Sequence, residues 1–144
     1  MPHAPIFTLT VRVPDADIDR QGHVNNVAFV RYVQDVAAAH WLSVAPPELQ
    51  TAYTWVVRRH EIEYLRPGQP GDELQLRTWV GKATGATWER FTEVFRAGED
   101  RPLVTARTVW VLLDAATIRP RRVDPAIVAL LAGSEGKSNE AADE

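Results

Sequence analysis

Residues 27–42, VAFVRYVQDVAAAHWL, carry an apolar repeat of helical period in a chain whose other long patterned segments alternate like strands. Val30, Val33, Ala37 and Trp41 follow +3/+4/+4 spacing, with Phe29, Val36 and His40 flanking the stripe. Arg31, Gln34 and Asp35 fall on the opposite side. The asparagines at 25 and 26 both suit an N-cap, and APP at 45–47 comes after the expected helix end. One helix cannot cover both faces of a sheet. The sheet is therefore expected to wrap around it, leaving the outer face and any open edge to self-association.

Before the helix, IFTLTVRV turns Phe7, Leu9, Val11 and Val13 to one face and Ile6, Thr8, Thr10 and Arg12 to the other. After it, YTWVVRRHEIEYL, DELQLRTWVGK, ATWERFTEVFRA and RPLVTARTVWVLLD alternate and are rich in β-branched and aromatic residues. RPGQPG, KATG and AGEDRP separate them and read as short antiparallel turns. A short helix from Pro125 to Leu131 closes the pattern. The expectation is one α+β domain over residues 1–132, followed by a disordered acidic tail over 133–144.

The residue inventory narrows the chemistry. The chain has 144 residues, 45% hydrophobic and 24% charged, with a net charge of −3 that gives no case for nucleic acid or an anionic membrane. No apolar run approaches the ~18 residues of a membrane span, and no signal peptide is read at the start. With no cysteine, thiolate nucleophiles and Cys-ligated metals are excluded, and a cytoplasmic setting is expected. Serine occurs only at 43, 134 and 138, none in a nucleophile elbow. His3, His23, His40 and His60 are scattered without metal-site spacing, and neither a P-loop nor a dinucleotide fingerprint is present. No metal or cofactor is called for.

What remains is DADIDRQGHVNN, residues 15–26, a polar loop running into the helix start. Unpaired N–H groups and a partial positive charge there would stabilise an oxygen developing negative charge. Asp19 could attack a carbonyl or deprotonate a water, and His23 could orient substrate or share a proton. By spacing alone, a turn or capping role for Asp19 and a structural donor role for His23 are the more ordinary readings. The ordinary reading of Gly22 is a turn residue that supplies a positive φ.

DIDRQGHVNNVAFVRY, residues 17–32, resembles the D-x-D-x-x-G-H-V-N-N signature of hotdog-fold thioesterases, in the 4-hydroxybenzoyl-CoA thioesterase and acyl-CoA thioester hydrolase group. IEYLRPGQPGDELQL and DAATIRPRRVDP resemble two further blocks of that family, and the likeness covers roughly residues 5–131. It implies a five-stranded antiparallel sheet wrapped around a long central helix, in a homodimer or homotetramer with sites between subunits. It implies Asp19 as the catalytic carboxylate, nucleophile or base, and the Asn26 backbone N–H as the donor to a thioester carbonyl, with His23 a further catalytic residue. Gln21, Gly22 and Asn25 would meet the substrate, while Asp17 reads as structural. Phe29 stands where relatives often carry Tyr.

An acyl-CoA substrate would need cations for its phosphates. Arg121 and Arg122 are the first choice, with Arg119, the Arg58/Arg59 pair, Lys82 and Arg90 as further candidates. The four strand tryptophans, Trp55, Trp79, Trp88 and Trp110, read as core or subunit interface, and Trp41 as core. The alternatives are an acyl-carrier-protein thioesterase and a non-catalytic acyl-CoA-binding module. A hydratase is disfavoured, because its D-x-x-x-x-H spacing is absent between Asp19 and His23.

Overall fold

A computed structural model describes residues 4–133, so the expected tail lies outside the described residues apart from Gly133. The chain runs β1 (Phe7–Arg12), α1 (Asn26–Val44), α2 (Pro47–Ala52), β2 (Tyr53–Tyr64), β3 (Glu73–Thr84), β4 (Thr87–Arg96), β5 (Pro102–Asp114) and α3 (Pro125–Ala132). The strands form one antiparallel sheet in the order β1-β3-β4-β5-β2. This five-stranded sheet with its 19-residue helix is the hotdog arrangement. No helix is long and apolar enough to cross a membrane among the described residues.

Two expectations need correcting. β2 and β3 do not form a hairpin: β2 pairs with β5 at one edge of the sheet, and β3 lies between β1 and β4. The RPGQPG segment therefore carries the chain past the ends of two strands, roughly 14 Å at the usual strand spacing. The segment after α1 is also not a plain connection. Pro47 occupies the first turn of α2, where its missing N–H costs no hydrogen bond.

α1 buries Ala28, Phe29, Tyr32, Val33, Val36, Ala37, His40 and Trp41 against the concave face of the sheet. Its N-terminal half packs on an apolar cluster that includes Val24, Leu74, Leu76, Val94, Leu103 and Val104. Its C-terminal half packs on a second cluster around Trp41, Val80, Trp88, Leu112 and Ile127. A polar seam runs between the two. Thr78 and Thr92 pair across β3 and β4, Arg90 faces Thr108 across β4 and β5, and His60 bonds Thr108 from β2 at 2.9 Å.

From the helix, His40 completes the seam. Arg90 Nη1 donates to its Nδ1 at 3.1 Å, and Phe7 stacks on its ring at 5.0 Å. Arginine has no lone pair to offer, so this Nδ1 is unprotonated and the proton of the neutral ring sits on Nε2. Burial first, and the Arg90 charge second, lower the His40 pKa from 6.5 to about 4.

Between pH 6.5 and 4 the unfolded chain therefore binds a proton that the folded chain refuses. His40 leaves stability unchanged above that window and lowers it as pH falls through it, by about 3 kcal/mol at about 1.4 kcal/mol per unit. Urea denaturation of wild type and His40→Gln from pH 7 to 4 should show the wild type losing about that much more. Parallel curves would contradict it.

Candidate active site

The loop between β1 and α1 is held by Asp17. Its carboxylate is buried and accepts from the Tyr32 hydroxyl at 2.6 Å and from Arg31. Its carbonyl accepts the Asn25 N–H at 2.8 Å. Burial, then the bond to Asp17, raises the Tyr32 hydroxyl far above its ordinary value, so it stays a donor. Asp17 thus fastens the loop to the first two turns of α1.

Asp19 organises the tip. Its N–H donates to the His23 carbonyl at 2.8 Å, and its carbonyl accepts from Gly22 at 3.0 Å. Its Oδ1 accepts the N–H groups of Gln21 at 2.9 Å and His23 at 3.2 Å. Oδ2 makes no hydrogen bond among the described residues. Gly22 turns the chain at φ +82°, in the left-handed region that suits glycine.

At the helix start, Asn25 is the N-cap. Its side chain accepts the Val27 N–H at 2.9 Å, and its carbonyl accepts those of Ala28 at 2.9 Å and Phe29 at 3.3 Å. Of the first-turn amides, only that of Asn26 is left without an acceptor among the described residues. A free N–H at the positive end of a 19-residue helix can donate to an oxygen that gains negative charge.

Asp19, Gln21, His23, Asn25 and Asn26 line one cleft of about 350 Å³ with Phe29, Tyr64, Leu65, Arg66 and Pro67. Gly22 is not on its wall, and its part is to set the backbone. The His23 imidazole makes no hydrogen bond among the described residues, so no Asp–His pair is formed in advance. Arg121 and Arg122 lie elsewhere, beyond β5. Arg121 pairs with Asp114 at 3.0 Å and sits over the Tyr53 ring, at the far end of the 12-residue β2 from Tyr64. That is roughly 36 Å along the strand. Arg90 is only 5% exposed, which removes it as a surface phosphate contact. Among the described residues, no group of three His, Asp or Glu side chains is placed to hold a metal ion.

The far wall of the cleft comes from the crossover, whose RPGQPG residues read in sequence as a turn between two strands. Val24 donates its N–H to the Gly68 carbonyl at 2.9 Å. A Cβ at Gly68 would come within 2.7 Å of Val24 Cγ2 and 3.2 Å of Phe29 Cζ, so glycine is needed here for close approach. Arg96 braces this turn by donating to the Pro67 carbonyl and to Asp72, both at 2.9 Å. Arg66 pairs with Glu99 at 2.7 Å, and Leu65 and Arg66 both donate to the Leu103 carbonyl. Arg66 and Arg96 hold the Glu99 carboxyl below its ordinary pKa.

The geometry sits within a recognisable set of relatives. A family model described as the thioesterase-like superfamily matches residues 13–131. The acyl-CoA thioester hydrolase YbgC of Escherichia coli O6:H1 is 27% identical over 127 residues, covering 86% of this chain and 94% of its own. A 1,4-dihydroxy-2-naphthoyl-CoA thioesterase from Synechocystis superposes with a TM-score of 0.76 at 17% identity, covering 88% of this chain and 95% of its own. The protein SAV2348 from Staphylococcus aureus, solved in complex with CoA, gives 0.77 at 16% identity, over 90% of this chain and 84% of its own.

Two substitutions test this scaffold. Asn25→Ala removes the cap and should cost about 1 kcal/mol in urea denaturation. Gly68→Val should lower both the melting temperature and any activity of the cleft, because Val24 and Phe29 must move; an unchanged protein would show that the close approach has no consequence.

Proposed function

The chain belongs to the thioesterase-like superfamily, and on that premise we propose that it hydrolyses an acyl-CoA thioester to the free acid and CoA. One observation carries the reading: a carboxylate oxygen and a helix-start amide, both without a hydrogen-bond partner among the described residues, line the same cleft. The thioester carbonyl oxygen would accept from the Asn26 N–H, whose field grows in value as the oxygen gains charge. Asp19 Oδ2 would attack the carbonyl carbon, giving an anhydride that water then opens, or would take a proton from an attacking water. Both routes expel CoA as its thiolate, which then takes up a proton. His23, with its ring uncommitted, is positioned to contact the substrate rather than to tune Asp19.

Gln21 would meet the substrate from the rim, and the Asn25 side chain contributes as the cap that leaves the Asn26 amide free. Arg121 and Arg122 can serve CoA phosphates only in a cleft brought to them by another copy. β2, a 12-residue edge strand with Val56 42% exposed, supports a homodimer or homotetramer. A CoA thioester substrate fits a cytoplasmic enzyme.

Release of free thiol over a panel of acyl-CoA esters tests the reaction. Wild type should turn over at least one ester, and Asp19→Asn should lower kcat by about a hundredfold or more. No turnover on any ester would undercut the assignment, and full activity in the variant would remove Asp19 from its role. Analytical ultracentrifugation should give a mass of two or four 16.1 kDa chains, and a monomer at all concentrations would contradict the edge-pairing proposal.

A further inference from the structure

Tyr64 is the last residue of β2 and stands on the wall of the Asp19 cleft. Its backbone is well tied: it lies in register with Val104 of β5, and the next residues, Leu65 and Arg66, both donate to the Leu103 carbonyl. Its ring lies 6.2 Å from that of Phe29, which meets Tyr32 edge-on at 6.0 Å. With the ring 41% exposed, the hydroxyl could have been left to water. It turns instead to the helix start and donates to the Asn26 carbonyl at 3.3 Å.

That bond falls on the residue whose N–H the proposed reaction uses. The peptide that carries the Asn26 carbonyl also carries the Val27 N–H, which donates to Asn25 Oδ1 at 2.9 Å. The Tyr64 hydroxyl, the Asn26–Val27 peptide and the Asn25 side chain therefore form one hydrogen-bonded chain, in which each bond polarises the next. Both ends of the chain are fixed, Tyr64 through β5 and Asn25 through the Asp17 carbonyl. Helix ends fray, because their outer backbone groups lack helical partners. Here the first residue of α1 is gripped from the strand as well as from the cap. An oxyanion donor stabilises most when its direction is set before the charge develops.

We infer that Tyr64 is a positioning residue for the Asn26 amide: through the Asn26 carbonyl, its hydroxyl fixes the direction of the N–H without itself touching the substrate. Its consequence for rate rests on the thioester hydrolysis proposed above; its hold on the helix start does not. At 3.3 Å the bond is long, so its loss should slow the reaction severalfold and not by the hundredfold expected for Asp19.

The test is a double-mutant cycle of Tyr64→Phe, which keeps the ring against Phe29, and Asn25→Ala, read by thiol release and by NMR amide exchange at Val27. Tyr64→Phe should lower kcat about fivefold with KM within about twofold of wild type, and should speed Val27 exchange by about fivefold, the margin of one ordinary hydrogen bond. In the Asn25→Ala background it should change either quantity by less than about twofold, because both residues act on one peptide. Unchanged kcat or unchanged Val27 exchange would overturn the inference. So would a raised KM at intact kcat, the mark of a direct substrate contact, or effects that multiply in the double variant. If wild type turns over no ester, the hydrolase reading fails, and Val27 exchange alone decides whether Tyr64 holds the helix start.

Discussion

The buried carboxylate of Asp17 is the contact on which the site geometry depends. It collects the Tyr32 hydroxyl and the Arg31 guanidinium, while its own carbonyl receives the Asn25 N–H. Three bonds from one residue thereby set where the loop ends and where α1 begins. With that junction held, the Asn25 side chain can cap Val27, and the Asn26 amide is the one left over. Asp19, two residues on, is set by the same anchor. The first acid of the pair builds the cleft, and the second keeps one oxygen without a hydrogen bond among the described residues.

The second constraint is topological. Because β2 belongs at the edge beside β5 and β3 belongs beside β1, the chain must cross the end of the sheet between them. That crossing lays Pro67 and Gly68 against Val24 and Phe29 and closes the cleft opposite Asp19. Arg96, Asp72, Arg66 and Glu99 hold it with a network of ion pairs that are partly exposed, the Arg96–Asp72 pair being the most shielded. The sheet thus positions the cleft from one side and the helix from the other. The polar seam of Arg90, His40 and the threonines divides the apolar core between the cleft end and the tryptophan-lined end.

The periodicities were legible because they are local. The helical stripe at 27–42 marks α1 within two residues at its C-terminus, and the strand alternations mark β1 to β5. The polar loop, its asparagine cap and its glycine turn could be read for the same reason. Strand order could not, since RPGQPG has the same turn composition whether it closes a hairpin or spans a sheet end. α2 was hidden by prolines that look like breakers but stand at a helix start. Arg121 and Arg122 looked like phosphate ligands by composition alone, and composition does not say which end of a strand a residue occupies. Arg90 is a different case: alternation places it with Trp88, Thr92 and Val94 on the inner face, but its charge argued for the surface.

In the proposed reaction the Asn26 amide and Oδ2 of Asp19 meet the same carbonyl. A crystal structure with a CoA ketone analogue, in which a methylene replaces the thioester sulfur, tests it directly. The ketone oxygen should lie within about 3 Å of the Asn26 nitrogen, with Asp19 Oδ2 facing the carbonyl carbon. A ketone oxygen bound by other donors, with the Asn26 amide still unpaired, would contradict it.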